Sequence, residues 1–208
     1  ATSANIPEQL PNQPWNWTVD LNAVAPSITS MNLGAGYAFG NGPDLNTLNI
    51  GQGGALNIST TTQHAITAIL GRARGSATVN MSGNADFYVG ATTVFNDGGN
   101  FADGTPAVAT LNIADTATFS TRMMMMTYRG QTGIINQSGN STVTIRSTLF
   151  QFESGDLHMA FGDYGNDGNL GGAGANDTKA YYNISGGALN VGGLLLMGRG
   201  GIPSIGLY

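Results

Sequence analysis

A chain of 208 residues is long enough for one domain with a substantial core, and with 41% of it hydrophobic it is not a disordered low-complexity chain. Only 9% of residues are charged, the net charge is −5, and the one lysine (Lys179) and six arginines form no basic stripe for a nucleic-acid backbone. Cysteine is absent, which removes disulfide staples and cysteine-ligated zinc, and no apolar run approaches a membrane span.

The first 34 residues hold four of the seven prolines (Pro7, Pro11, Pro14, Pro26) and both tryptophans, Trp15 and Trp17. Proline removes a ladder donor, so residues 1–34 are expected to form an N-terminal cap or arm. Two residues apart, Trp15 and Trp17 share a side of an extended segment, where they would plug the end of a core or stack on a sugar.

From 35 to 208 a degenerate repeat takes over. A strand end at Phe39-Gly40-Asn41 leads to Leu48-Asn49-Ile50 and then Leu56-Asn57-Ile58. The same order returns in Leu70-Gly71-Arg72, Val79-Asn80-Met81 and Phe87-Tyr88-Val89, and again in Phe95-Asn96-Asp97, Leu111-Asn112-Ile113 and Thr118-Phe119. It continues through Met126-Thr127-Tyr128, Ile135-Asn136-Gln137 and Val143-Thr144-Ile145. The last round is Phe161-Gly162-Asp163, Tyr182-Asn183-Ile184 and Leu189-Asn190-Val191, with Met197-Gly198-Arg199 beyond it. Taking the middle residue of each strand end as an anchor, the step to the next Asn is 9 in three rounds (40 to 49, 71 to 80, 127 to 136). The shortest steps sum to about 24 residues, and the surplus falls at only two corners. Strands that pair with neighbouring coils keep their length, while insertions bulge out at turns. The pattern predicts an all-β protein, a parallel β-solenoid of about five three-strand coils. Segments 97–109 and 163–180 are expected as surface loops, with Leu111, Ile113, Ile184, Leu189 and Val191 in the core.

The stretch from Tyr182-Asn183-Ile184-Ser185-Gly186-Gly187 through Leu189-Asn190-Val191-Gly192-Gly193 to Met197-Gly198-Arg199 resembles the degenerate β-helix repeats of large bacterial surface proteins, of the autotransporter-type, pectate-lyase-like kind. The resemblance covers roughly residues 35–208. It implies a right-handed parallel β-solenoid (β-helix), export and a surface role, and it does not imply catalysis, since the repeat is scaffold. The protein is accordingly expected outside the cell, exported by a signal peptide already removed.

The asparagines Asn49, Asn80, Asn112, Asn136 and Asn183 should stack one per coil. Their apolar neighbours point the opposite way, so the amides lie outside and can bond along the axis. Such a column is a structural ladder first and a binding stripe for sugar or ice second. Seven Asn-x-Ser/Thr sequons, at Asn16, Asn57, Asn80, Asn136, Asn140, Asn176 and Asn183, are glycosylation candidates, Asn176 foremost. Beside the anchors, Arg72 with Asp97 and Asp163 with Arg199 are opposite charges one coil apart. The loop bearing Asp163 and Asp167 is a weak calcium candidate, short of the ligand set a hard cation needs. No metal or other cofactor is expected. Glu153, Asp156 and His158 lie close in sequence, but no paired carboxylates facing a groove and no nucleophile triad can be named. Not an enzyme, the chain reads as a structural subunit of an extracellular filament or surface layer. It would assemble head-to-tail with copies of itself through the solenoid ends and the N-terminal arm, with the final coil completed by a neighbour. The alternative is a carbohydrate-binding or carbohydrate-cleaving surface β-helix, with a surface polysaccharide as partner.

Overall fold

The computed structural model describes residues 16–36, 45–60, 65–73, 75–97, 107–128, 132–147, 154–161 and 179–197. Among these there is no helix, and seventeen strands form three parallel sheets of a β-solenoid. The first sheet stacks β1 (Asn16–Leu21), β3 (Leu45–Ile50), β6 (Ser76–Met81), β9 (Val108–Ile113), β12 (Thr132–Gln137) and β15 (Lys179–Ile184). The second stacks β4 (Ala55–Ile58), β7 (Asp86–Val89), β10 (Thr118–Thr121), β13 (Thr142–Ile145) and β16 (Ala188–Val191). The third stacks β2 (Met31–Gly36), β5 (Ile66–Ala73), β8 (Thr92–Asp97), β11 (Met123–Tyr128), β14 (Leu157–Phe161) and β17 (Leu195–Met197). The Met123–Met126 tract is strand, as its place in the repeat demands.

Five full coils follow a first coil whose middle strand is reduced to two bridges, Val24 to Ala55 and Ile28 to Ile58. The boundary expected at 34/35 falls inside β2, and residues 16–34 already belong to the stack, because β1 pairs with β3 along its whole length. Pro26 lies between the bridges, where no ladder donor is required of it. Residues 1–15, with Trp15, are outside the described residues. Trp17 pairs in register with Asn46 and is partly buried at the foot of an inward column that continues through Ala77, Ala109 and Gly133.

Period-2 alternation sends one face of each strand inward. In the first sheet Leu48, Val79, Leu111 and Ile135 form one buried column, and Ile50, Met81 and Ile113 another. Phe87 and Phe119 of the second sheet meet edge-on at 5.2 Å between ring centroids. The second inward column then places Gln137 in the core of the fifth coil, where its side chain is fully used. Gln137 Nε2 donates to the carbonyls of Ser141 and Ala188, and Tyr182 Oη donates to Gln137 Oε1 at 2.6 Å. Burial pushes the Tyr182 phenol above its ordinary range. Leu111 and Ile113 are core, whereas Leu189 and Val191 are half-buried and Ile184 is 52% exposed. Ile184 points inward, but it lies on β15, the edge strand of its sheet, and no described strand stacks beyond it. Of the two segments expected as loops, residues 98–106 and 162–178 lie outside the described residues, while β9 begins at Val108 and β15 at Lys179.

The third sheet carries one left-handed residue in each of its first five strands. Gly34, Gly71, Asn96, Thr127 and Ala160 have φ of 74°, 77°, 63°, 64° and 55°, and they fall in one register column. This kink turns the chain back toward the first sheet. A Cβ on Gly34 would lie 2.5 Å from the Ser76 carbonyl oxygen and 3.2 Å from Ala77 Cβ, and one on Gly133 would lie 3.0 Å from Thr127 Cγ2. The small residues Ala77, Ala109 and Gly133 therefore line the corner against which the kink packs. Gly71, Asn96 and Thr127 are the anchors read from sequence, but the first coil uses Gly34 rather than Gly40, and the fifth uses Ala160 rather than Gly162. Both Gly40 and Gly162 follow their strands, outside the described residues.

Alanine enters the left-handed region at a cost of about 1–2 kcal/mol, whereas glycine enters it freely. Ala160→Gly is expected to raise the unfolding free energy read from urea denaturation, by about 0.5–1 kcal/mol after the extra chain entropy of glycine is subtracted. Gly71→Ala should lower it by more than 1 kcal/mol, since its new Cβ would also press the Gly75 carbonyl at 3.0 Å. Equal unfolding free energies for both variants and the parent would show that the kink is not strained.

Candidate functional site

The outward face of the first sheet presents two parallel columns. Asp20, Asn49, Asn80, Asn112, Asn136 and Asn183 are consecutive register partners. Each asparagine donates from Nδ2 to the side-chain oxygen one coil earlier. The distances are 2.7 Å to Asp20 and then 2.8, 2.7, 2.8 and 2.8 Å to Asn49, Asn80, Asn112 and Asn136. The sequence separations along this ladder are 29, 31, 32, 24 and 47, so insertions as long as a whole coil leave the column undisturbed. Two residues earlier runs a second column, Thr18, Thr47, Thr78 and Thr110, which Ile134 and Tyr181 continue. Asp20 stands where the repeat has Asn, so the first coil does not show the repeat's marker residue. Its signal was present all the same, since Thr18-Val19-Asp20-Leu21 matches Thr47-Leu48-Asn49-Ile50 and Thr110-Leu111-Asn112-Ile113.

The ladder bears on the sequons. At Asn80, Asn136 and Asn183 the nitrogen that would carry a glycan is held against the neighbouring side-chain oxygen. Asn16, Asn57 and Asn140 are exposed, although Asn16 Oδ1 accepts the Leu45 amide at 3.2 Å. Asn176, Asp163 and Asp167 lie outside the described residues, as do Arg199, Glu153 and His64. Arg72 and Asp97 are register partners on β5 and β8.

Asp156 and His158 are buried at the corner between the second and third sheets. Asp156 Oδ2 stands 3.6 Å from His158 Nε2, and Asp156 Oδ1 accepts the Leu194 amide at 2.8 Å, tying the fifth coil to the sixth. At the same corner Arg146 reaches down two coils, where Nη1 donates to Tyr88 Oη and Nη2 to the Val89 carbonyl, with the guanidinium 4.3 Å over the tyrosine ring. Burial, and then the charge of Arg146, lower the pKa of Arg122 beside it. These groups clamp coils together. Among the described residues no three His, Asp or Glu side chains gather as metal ligands, and no helix is long and apolar enough to cross a membrane.

The two ends of the stack differ from its flanks. At one end β1 and β2 are edge strands with Val19, Val24 and Ile28 exposed. At the other, β15, β16 and β17 are edge strands with Tyr181, Ile184, Leu194, Leu195 and Met197 exposed, Met197 at 73%. No family model, curated protein or solved structure matches this chain.

The ladder makes a directional prediction. Asn112→Ala removes one donated and one accepted bond and is expected to cost about 1–2 kcal/mol. Asn112→Asp keeps the acceptor for Asn136 but sets a carboxylate against Asn80 Oδ1, so it should cost more than alanine at neutral pH. Urea denaturation of the two variants checks the order, and a stable Asn112→Asp protein would contradict the direction of the ladder.

Proposed function

We propose that this protein is a structural subunit of an extracellular filament or cell-surface layer, built by head-to-tail stacking of solenoids. The carrying observation is the two ends of the described stack, where edge strands lie among exposed apolar side chains. Monomeric β proteins protect such edges with charge, proline, twist or a covering segment. Here the described edge at β17 reads Leu195-Leu196-Met197, apolar throughout. A heterologous contact between unlike ends repeats without closing when its rotation does not close, and the product is an open filament. Low charge and the lack of cysteine accord with a surface protein held together by stacking.

Leu195 and Met197 are exposed, so lysine at both positions should leave the fold and its thermal midpoint unchanged while charging the edge. Leu195→Lys with Met197→Lys is expected to abolish concentration-dependent assembly in sedimentation and to remove fibres from negative-stain images. A parent protein that stays monodisperse and monomeric at high concentration overturns the filament reading.

A further inference from the structure

The first coil, like the last, contributes a strand to the first and third sheets, so in those two sheets the first coil of one copy can be laid on the last coil of another in continuous register. Resting on the head-to-tail reading, this superposition sets Val19 over Tyr182 and Leu21 over Ile184 in the first sheet. In the third it sets Met31 over Leu195 and Leu33 over Met197. Apolar side chains meet apolar or aromatic ones at each of these positions, at the strand spacing of about 4.8 Å. Asp20 breaks the match, because in this register it falls on Asn183.

The ladder has a direction. Every rung donates toward the first coil, so Asn183 Oδ1 is the acceptor that a seventh rung would use. A seventh rung must bring a donor. Asp20 is exposed and already accepts from Asn49, and an ionised carboxylate carries acceptors only. The junction would then set a negative charge against a carbonyl oxygen with no proton between them. Two acceptors set face to face repel, and each is left without the donor it would otherwise bond.

We propose that Asp20 is an assembly gate: its charge at the foot of the ladder opposes in-register stacking of a second copy, and a donor at that position releases it. Asp20→Asn is the isosteric test. The new side chain keeps an oxygen for Asn49 Nδ2 and gains an Nδ2 that can reach Asn183 Oδ1 of the neighbouring copy. Asp20→Ala removes the charge without adding the donor.

The critical concentration for assembly, read by light scattering and pelleting, is expected to fall about tenfold in Asp20→Asn, the size of one gained hydrogen bond. A smaller fall is expected in Asp20→Ala. Adding Leu195→Lys and Met197→Lys to Asp20→Asn should abolish assembly again, which ties the effect to the two ends. An unchanged critical concentration in Asp20→Asn, with a parent that does assemble, overturns the gate and leaves head-to-tail stacking standing. An equal fall in both variants overturns the part assigned to the donor. A monomeric parent overturns the filament reading, and a monomeric Asp20→Asn beside it overturns the gate as well.

Discussion

Parallel pairing of every strand with its counterpart one coil away is the constraint on which the rest of the structure depends. It fixes which residues share a column, and a column has only two possible fates. An inward column must be filled by apolar groups or by polar groups whose bonds close inside, as Gln137 shows with its three partners. An outward column repeats one polar group at the strand spacing, and asparagine, with both a donor and an acceptor, can bond to its own image. The 24 residues between Asn112 and Asn136 and the 47 between Asn136 and Asn183 produce the same rung. Chain length between rungs is thus nearly free, while the position of each rung is not.

The corner between the third and first sheets obeys a stricter rule. A left-handed residue recurs at one position, and its side chain has gone from glycine to asparagine, threonine and alanine without loss of the backbone turn. Asn96 adds a bond from Nδ2 to the Ala107 carbonyl at 2.7 Å. Thr127 and Ala160 are held there although the conformation disfavours them. Ladder bonds on both sides of the kink, Met126 with Met159 and Tyr128 with Phe161, leave the residue between them no other course. Small residues opposite, Gly133 above all, accept the close approach.

Much of this was legible in the sequence because a stack writes its period into the chain. The three sheets, the asparagine column and the burial of Leu111 and Ile113 follow from spacing and alternation alone. The first coil was hidden by Asp20 in place of Asn, by proline, and by a middle strand shrunk to two bridges. The kink at Ala160 was hidden because the repeat places the strand end at Phe161-Gly162-Asp163, and torsion imposed by neighbours leaves no mark in residue type. Ile184 looked like core because alternation reports only direction. Whether an inward side chain is buried depends on what lies over it, and β15 is the edge strand. The buried corner of Arg122, Arg146, Asp156 and His158 had no local signature, since Arg146 finds Tyr88 58 residues away.

The amide ladder also has a memory. An asparagine side chain looks nearly the same after a half-turn about its last bond, so each rung alone could face either way. In the column it cannot, because one reversed amide would set nitrogen against nitrogen on one side and oxygen against oxygen on the other. All five must therefore point together, and aligned dipoles in such a chain strengthen one another. The choice between the two senses is made once, at Asp20, whose carboxylate can receive and cannot give. A single carboxylate in the first coil thereby orients an amide five coils away, through side chains alone.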